Sequence, residues 1–371
     1  MIQLADPARE HAAYQEAIEA AAIRVLRSGH YILGPEVDTF ERAFASYCRV
    51  GHAVGVANGS DAIVVALQAL GIGPGDEVIT TALSYFATAS TIVRTGATPV
   101  FVDIDPLTFN LDPAQVAAKI TSRTKAVLPV NLFGRAANYR AIQAQLGAAA
   151  GRVHVIEDSA QGCGSEHFGV RSGALGVIAC FSFFPAKVFG GAGDGGACTT
   201  QDAGLADTMR KVRITGAVAK NVHELPGGNY RLDPLQAAIL GVKLTHLDQR
   251  LARRRANASA LREALADAHP ELIVPSDDPD GRHVYAQFSL QFPRRDALIE
   301  RLKSRGVGAE VYYPVPMPYQ KVLAHLGYRR GEFVHTERAC RDLVAVPVHS
   351  ELTGDELSTV IDAVRAAVRE V

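Results

Sequence analysis

The sequence lacks the features that direct a chain to a membrane, to nucleic acid or to the cell exterior. No run is long and apolar enough to span a bilayer. Lys and Arg number 38 and Asp and Glu 39, for a formal net charge of -1, so neither nucleic acid nor an anionic membrane is expected as a partner. Any phosphate must be bound locally. The cysteines, Cys48, Cys163, Cys180, Cys198 and Cys340, are odd in number, scattered, and without the paired close spacing of a zinc site. No metal is expected, and a reducing compartment is the simplest reading. The first residues, MIQLADPAREHAAYQEAIEAA, are acidic early and lack the basic start and apolar core of a signal peptide, so a cytoplasmic location is expected. There is no internal repeat and no low-complexity segment.

What is present is an ordinary globular composition, 48% hydrophobic and 21% charged, over a length that allows a sizeable core and favours two domains. From about residue 53, short apolar runs alternate with helix-length amphipathic segments. HAVGVANG reads as strand and turn, SDAIVVALQALG as helix, DEVIT as strand and FATASTIVRTG as helix. TPVFVDID, TKAVLPVN and VHVIED follow as β-branched runs bounded by turn residues. They are apolar nearly throughout, as strands covered on both faces of a mostly parallel sheet must be. The expected class is therefore α/β. LDPLQAAILGVKLTHLDQRLARRRANASALREALADA then reads as one long helical pattern leading out of the first domain. HVYAQFSLQF and GAEVYY read as strands, RDALIERLKSRG as an amphipathic helix, and TGDELSTVIDAVRAAVREV as a capped C-terminal helix. The expected division is a large α/β domain over residues 1–244 and a smaller α+β domain over residues 245–371.

Six stretches could carry chemistry. In VANGSDAIVVALQAL a strand ends at Asn58, Gly59 allows a tight turn, and Ser60 and Asp61 open a helix. That start could hold a phosphate on its free N–H groups, or be an ordinary N-cap, and Asp61 counts slightly against an anion. In VHVIEDSAQGCGS, Asp158 ends a strand-like run, where parallel sheets place their ligands, unless it caps the following segment. Gln161 could reach the same space as a neutral donor. VIACFSFFPAK reads as a strand ending near Pro185 that delivers Lys187 to a sheet end, with Ser182 inside the run. Alone, Lys187 is readily a snorkelling surface lysine. Tyr85 follows a strand in ITTALSYFATAST and could cover a planar cofactor or simply join the core. In GGNYRLDPLQAAIL, Asn229 and Arg231 precede a helix opened by Asp233 and Pro234, which suits an ordinary capped loop as well as a site. Tyr312, Tyr313, Pro314 and Pro316 of VYYPVPMPYQ form a rigid loop that could line a pocket or make a structural turn.

Taken together, these features ask for one object. Pyridoxal phosphate has an aldehyde that condenses with a lysine amine, a protonated ring nitrogen that wants an anion, and a phosphate that wants a helix start. The blocks SGHYILGPEVDTFERAFASYC, ANGSDAI, FVDIDPLTFNLDP, IEDSAQGCGS, FSFFPAKVFGGAGDGGA, GGNYRLDPLQAAIL and VYYPVP, in this order, resemble the DegT/StrS-type sugar aminotransferases over nearly the whole chain. The resemblance implies the fold type I architecture, a large mostly parallel sheet sandwiched by helices with a smaller C-terminal α+β domain. It implies that Lys187 is the Schiff-base lysine, Asp158 the partner of the pyridinium nitrogen, Gln161 the donor to the phenolic oxygen, and Tyr85 the stacking ring. Gly59, Ser60 and Ser182 match positions that hold the cofactor phosphate. Asn229 matches an asparagine that reaches the neighbouring subunit's cofactor, which implies a homodimer with shared active sites.

The implied partners are an amino donor, glutamate, and a keto sugar attached to a nucleotide, with Tyr313 and Arg231 as candidate substrate contacts. RLDPLQAAIL looks more like relatives acting on 3-keto than on 4-keto sugars. One departure is Pro318, which stands in PMPYQ where many relatives carry a histidine and cannot make a histidine's hydrogen bonds. The alternatives are a sugar dehydratase, whose members replace the lysine by histidine, and a non-catalytic regulatory protein on the same scaffold.

Overall fold

The computed structural model describes residues 1–371. Seven strands form the central sheet: β1 His52–Val56, β2 Glu77–Thr81, β3 Thr98–Val102, β4 Thr124–Leu128, β5 His154–Asp158, β6 Ile178–Ser182 and β7 Gly196–Thr200. Their spatial order is β1-β7-β6-β5-β4-β2-β3. Five adjacent strands, β6-β5-β4-β2-β3, are parallel. β7 runs antiparallel to both β1 and β6, so β1 points the same way as the parallel set. The carboxyl ends of β1, β2, β5 and β6 therefore emerge on one edge, carrying Asn58, Ser84, Asp158 and Ser182 toward a common space.

Both faces of the sheet are covered, which explains the uninterrupted apolar strands. On one face Val54, Ile156, Ile178 and Cys198 pack with Ile63 and Leu67 of the helix Gly59–Ala69 and Met209 of the helix Ala203–Arg213. On the other face Phe181 and Ala197 pack with Phe40 and Phe44 of the helix Pro35–Cys48 and Leu240 of the helix Pro234–Leu244.

Differences from the sequence reading lie mostly after residue 190. GACTT forms the strand β7, whose glycine and alanine carry little strand signal. The expected long helix is two, Pro234–Leu244 and Leu247–Leu265, with Thr245 as the cap between them. Within HVYAQFSLQF only Phe288–Gln291 is strand, paired antiparallel with Leu343–Val346, which the pattern did not single out. The reason is local. Tyr285 sits at φ 48, and the buried Arg254 donates to the carbonyls of Tyr285 at 2.7 Å and Ala286 at 3.0 Å, replacing a ladder. GAEVYY contributes a single bridge, Glu310 to Ala345. The C-terminal helix Gly354–Glu370 carries the expected cap, a Thr353–Glu356 capping box.

Leu247 and Leu251 belong to the core under the sheet, whereas Ala258, Leu261 and Leu265 of the same helix join a separate core with Leu298 and Val364. We propose the domain boundary at residues 244 and 245, just ahead of the helix Leu247–Leu265 that passes from one core to the other, with one exception. Ile2 exchanges backbone hydrogen bonds with Gly306 and Gly308, so the first residues run with the second domain.

A buried ion cluster ties the parts together. Glu10 meets Lys243 and Arg250 at 2.6 Å each, and Arg250 also reaches Glu351 at 3.3 Å. Lys243 donates to the Gly190 carbonyl and Arg250 to the Val188 carbonyl. Removing one partner of such a cluster strands buried charge. Glu10→Ala is expected to lower unfolding stability by roughly 3–5 kcal/mol in urea titration.

Candidate active site

A cavity of about 540 Å³ opens at the carboxyl edge of the sheet. Gly59, Ser60, Tyr85, Asp158, Gln161, Ser182, Lys187 and Tyr313 all line it. Asn229 and Arg231 do not line the cavity of their own chain. Asn229 is exposed on the loop before the helix Pro234–Leu244, its backbone bridged to Ile214, and Arg231 is bridged to Val56. Pro318 is buried in the turn Met317–Tyr319, away from the cavity lining.

At one end lies the start of the helix Gly59–Ala69. Asn58 caps it, accepting from the Asp61 N–H at 2.9 Å and donating its own amide to the Asp61 carboxylate at 2.9 Å. Arg94 holds the other Asp61 oxygen at 3.2 Å, so that charge is already engaged. The capping reading and the phosphate reading coexist: the N–H groups of Gly59 and Ser60 occupy the first helical positions, which have no intrahelical acceptor. A Cβ on Gly59 would lie 2.6 Å from the Ser182 Cβ, and one on Gly196 would lie 2.6 Å from the Asn58 carbonyl carbon. Only glycine permits this close packing of helix start and strand ends.

At the floor, Asp158 and Lys187 face the same space from adjacent strand ends. The aromatic run that precedes Lys187 is the anchor of its turn. Phe183 and Phe189 pack edge-to-face at 5.2 Å, and Phe183 meets Phe40 and Phe44 at 5.5 and 5.3 Å. Phe184, in contrast, is exposed at the cavity wall. Burial lowers the Lys187 amine below its ordinary 10.5, and the Asp158 charge opposes this. Burial raises the Asp158 carboxyl above 3.8, opposed by the Thr88 hydroxyl, the Ala160 N–H and the Lys187 charge.

Gln161 is oriented by the backbone. Its Oε1 accepts from the Phe133 N–H at 2.6 Å, which turns Nε2 toward the Tyr313 hydroxyl, 3.0 Å away, and leaves that amide a further proton for a ligand. Tyr85 is 60% exposed with its ring 6.1 Å from that of Tyr313, free to cover a planar group. Burial raises the Tyr313 phenol, so it stays a neutral hydroxyl.

Several lining residues had not been singled out in the sequence. Ser84 lies in the bend before the helix Ala87–Arg94 and Thr88 in its first turn, and their hydroxyls meet at 2.9 Å. Leu4 and Ala5 reach the cavity only because Ile2 pairs with the second domain. Gln287 and Asp194 also line it from loops without a pattern of their own.

A lysine amine, a buried carboxylate and free N–H groups at a helix start opened by Gly59, all in one cavity, fit pyridoxal phosphate. Residues 12–365 match the DegT/DnrJ/EryC1/StrS aminotransferase family. The chain belongs to that family. It is a pyridoxal-phosphate-dependent aminotransferase of fold type I. A "pleiotropic regulatory protein" of Geobacillus stearothermophilus is 46% identical over 92% of this chain and 91% of its own. A "dTDP-3-amino-3,4,6-trideoxy-alpha-D-glucose transaminase" of Streptomyces venezuelae is 42% identical over 95% and 93%. The crystal structure of S. venezuelae DesV with a ketimine intermediate superposes with a TM-score of 0.96, at 39% identity, covering 100% of this chain and 99% of that one.

Two measurements check the geometry. In the apoprotein, the pH midpoint for acylation of Lys187 should lie below 10.5, and Asp158→Asn should lower it further because the charge that favours the ammonium is gone. Gly59→Ala should weaken cofactor binding at least about tenfold in an absorbance titration, since the added methyl pushes the helix start off Ser182.

Proposed function

We propose that this aminotransferase moves an amino group from L-glutamate to a keto sugar carried on a nucleotide, preferring a keto group at C3 over C4, in amino-sugar biosynthesis. The observation that carries the reading is the shared cavity of Lys187 and Asp158, with a helix start at its far end. The cofactor supplies a carbonyl carbon that takes up amines and a ring that withdraws electrons when its nitrogen is protonated.

The chain's own groups then have distinct tasks. Asp158, an acceptor facing the cavity, holds the proton on the ring nitrogen. Lys187 Nζ anchors the cofactor at rest. Once released, it takes the proton from the α-carbon of the donor and later returns one to the former keto carbon. It must be a neutral amine to do so, and desolvation at the cavity floor favours that form. Gly59, Ser60 and Ser182 receive the phosphate, Gln161 Nε2 donates to the phenolic oxygen, and Tyr85 covers the ring face. Asn229, exposed and outside its own cavity, reaches the phosphate in the neighbouring subunit of a homodimer. Tyr313 contacts substrate, and Arg231 does so across that same interface. We place the enzyme in the cytoplasm.

The sugar reading draws on the S. venezuelae relative, whose name specifies a 3-amino sugar, and on RLDPLQAAIL. The name of the G. stearothermophilus relative favours a second reading, a regulatory protein. Retention of Lys187, Asp158 and Gln161 in one cavity argues for catalysis, and a lysine where the dehydratases carry histidine argues for amination.

Wild-type protein incubated with glutamate and a panel of 3-keto and 4-keto nucleotide sugars should yield 2-oxoglutarate and a 3-amino product. Lys187→Ala should lose roughly 10²–10⁴-fold in rate. A wild type inert toward every member of the panel would sink the substrate assignment, and light scattering at the mass of a single 39.5 kDa chain would sink the shared site.

A further inference from the structure

Asp158 ends β5 with only 3% of its surface exposed, and an isolated carboxylate so placed would tend to take up a proton and become a donor. Two contacts work against this. The Ala160 N–H donates to Oδ1 at 3.2 Å, and the Thr88 hydroxyl reaches Oδ2 at 2.7 Å. Thr88 belongs to the first turn of the helix Ala87–Arg94 and is 1% exposed. Behind it, the Ser84 hydroxyl lies 2.9 Å from the Thr88 oxygen.

The proton count orders this chain. A threonine hydroxyl has one proton. If Thr88 gives it to Asp158, Ser84 must donate to Thr88, and both hydroxyls point their protons one way, toward the carboxylate. The reverse order, Asp158 protonated and donating to Thr88, would present the cavity with a neutral acid.

We propose that Thr88, backed by Ser84, is a positioning residue that keeps Asp158 an acceptor toward the cavity. With each oxygen already receiving a fixed donor, the remaining lone pairs are left for a donor in the cavity, such as the ring nitrogen of a bound cofactor would be, and protonating the carboxylate forfeits the bond that Thr88 donates. A donor to a buried charge is worth more than one in water, which is why a single hydroxyl matters here.

Of the other titratable groups around Asp158, one shares this task and the rest stay out of it. Lys187, on the turn after β6, favours the carboxylate. Cys180 on β6 and Tyr139 on the helix Tyr139–Leu146 are pushed far up by burial and stay neutral, as does Tyr313. Glu157, next in β5, is raised by burial and occupied by the N–H groups of Leu175, Gly176 and Gly173 at 2.6, 2.9 and 3.0 Å.

The proposal rests on Asp158 being the ring nitrogen's partner, and its test separates the two claims. Carbon-13 NMR of labelled aspartate in the apoprotein, assigned with Asp158→Asn, should show the Asp158 midpoint rising by about one to two pH units in Thr88→Val. Thr88→Ser should restore it, and Ser84→Ala should give a smaller rise, which also serves if the valine variant does not fold. In the holoenzyme the acid limb of the kcat profile should move up by a similar amount in Thr88→Val, with the KM for glutamate little changed. An Asp158 midpoint unmoved in Thr88→Val and Ser84→Ala overturns the proposal. A moved midpoint combined with full activity of Asp158→Asn supports the hydroxyl relay and overturns the assignment of Asp158 to the ring nitrogen.

Discussion

The arrangement depends on burying a carboxylate and an amine near each other without letting them close into an ion pair. Asp158 and Lys187 each lose solvation at the strand ends, and each shift is partly offset by the charge of the other. A direct contact would neutralise both and fill the space between them. Both line one cavity and no ion pair closes between them, so each keeps a polar group turned to the same space. Sheet geometry produces this arrangement: the two residues leave neighbouring strands, Asp158 as the last residue of β5 and Lys187 five residues beyond the end of β6.

Holding those positions requires a rigid surround. The turn after β6 is packed from below by Phe183 and Phe189 and clamped from the side, where Lys243 and Arg250 take the Gly190 and Val188 carbonyls. Those two cations share Glu10, far away in sequence, and Arg250 is also paired with Glu351. The same N-terminal region lays Leu4 and Ala5 along the cavity wall. One buried cluster thus links the cavity rim, the lysine turn and the helices that connect the two domains. This pre-organisation matches what covalent catalysis needs, an amine presented in one geometry.

The fold alone does not decide what such a cavity does. Relatives with closely similar chains bear the names of a transaminase and of a regulatory protein. Family membership establishes aminotransferase chemistry, while the cavity walls are formed in part by loops, among them Tyr312, Tyr313 and Gln287, whose shape is a property of the assembled site.

The sequence by itself determined the alternation of strand and helix, the apolar strands of a doubly covered sheet, and the residues at their carboxyl ends. These are local or periodic signals, and Asp158, Lys187, Ser182 and Gly59 could be read from them. It did not determine β7, whose small residues pair because β1 and β6 flank them, nor the break at Thr245 in an otherwise continuous helical pattern. Tertiary structure alone decided that Ile2 joins the second domain and so brings Leu4 to the cavity, that Arg254 rather than a ladder satisfies the carbonyls of Tyr285 and Ala286, and that Thr88 meets Asp158 across 70 residues. Such contacts have no periodicity along the chain. They exist because buried polar groups must find partners wherever the packed core places them.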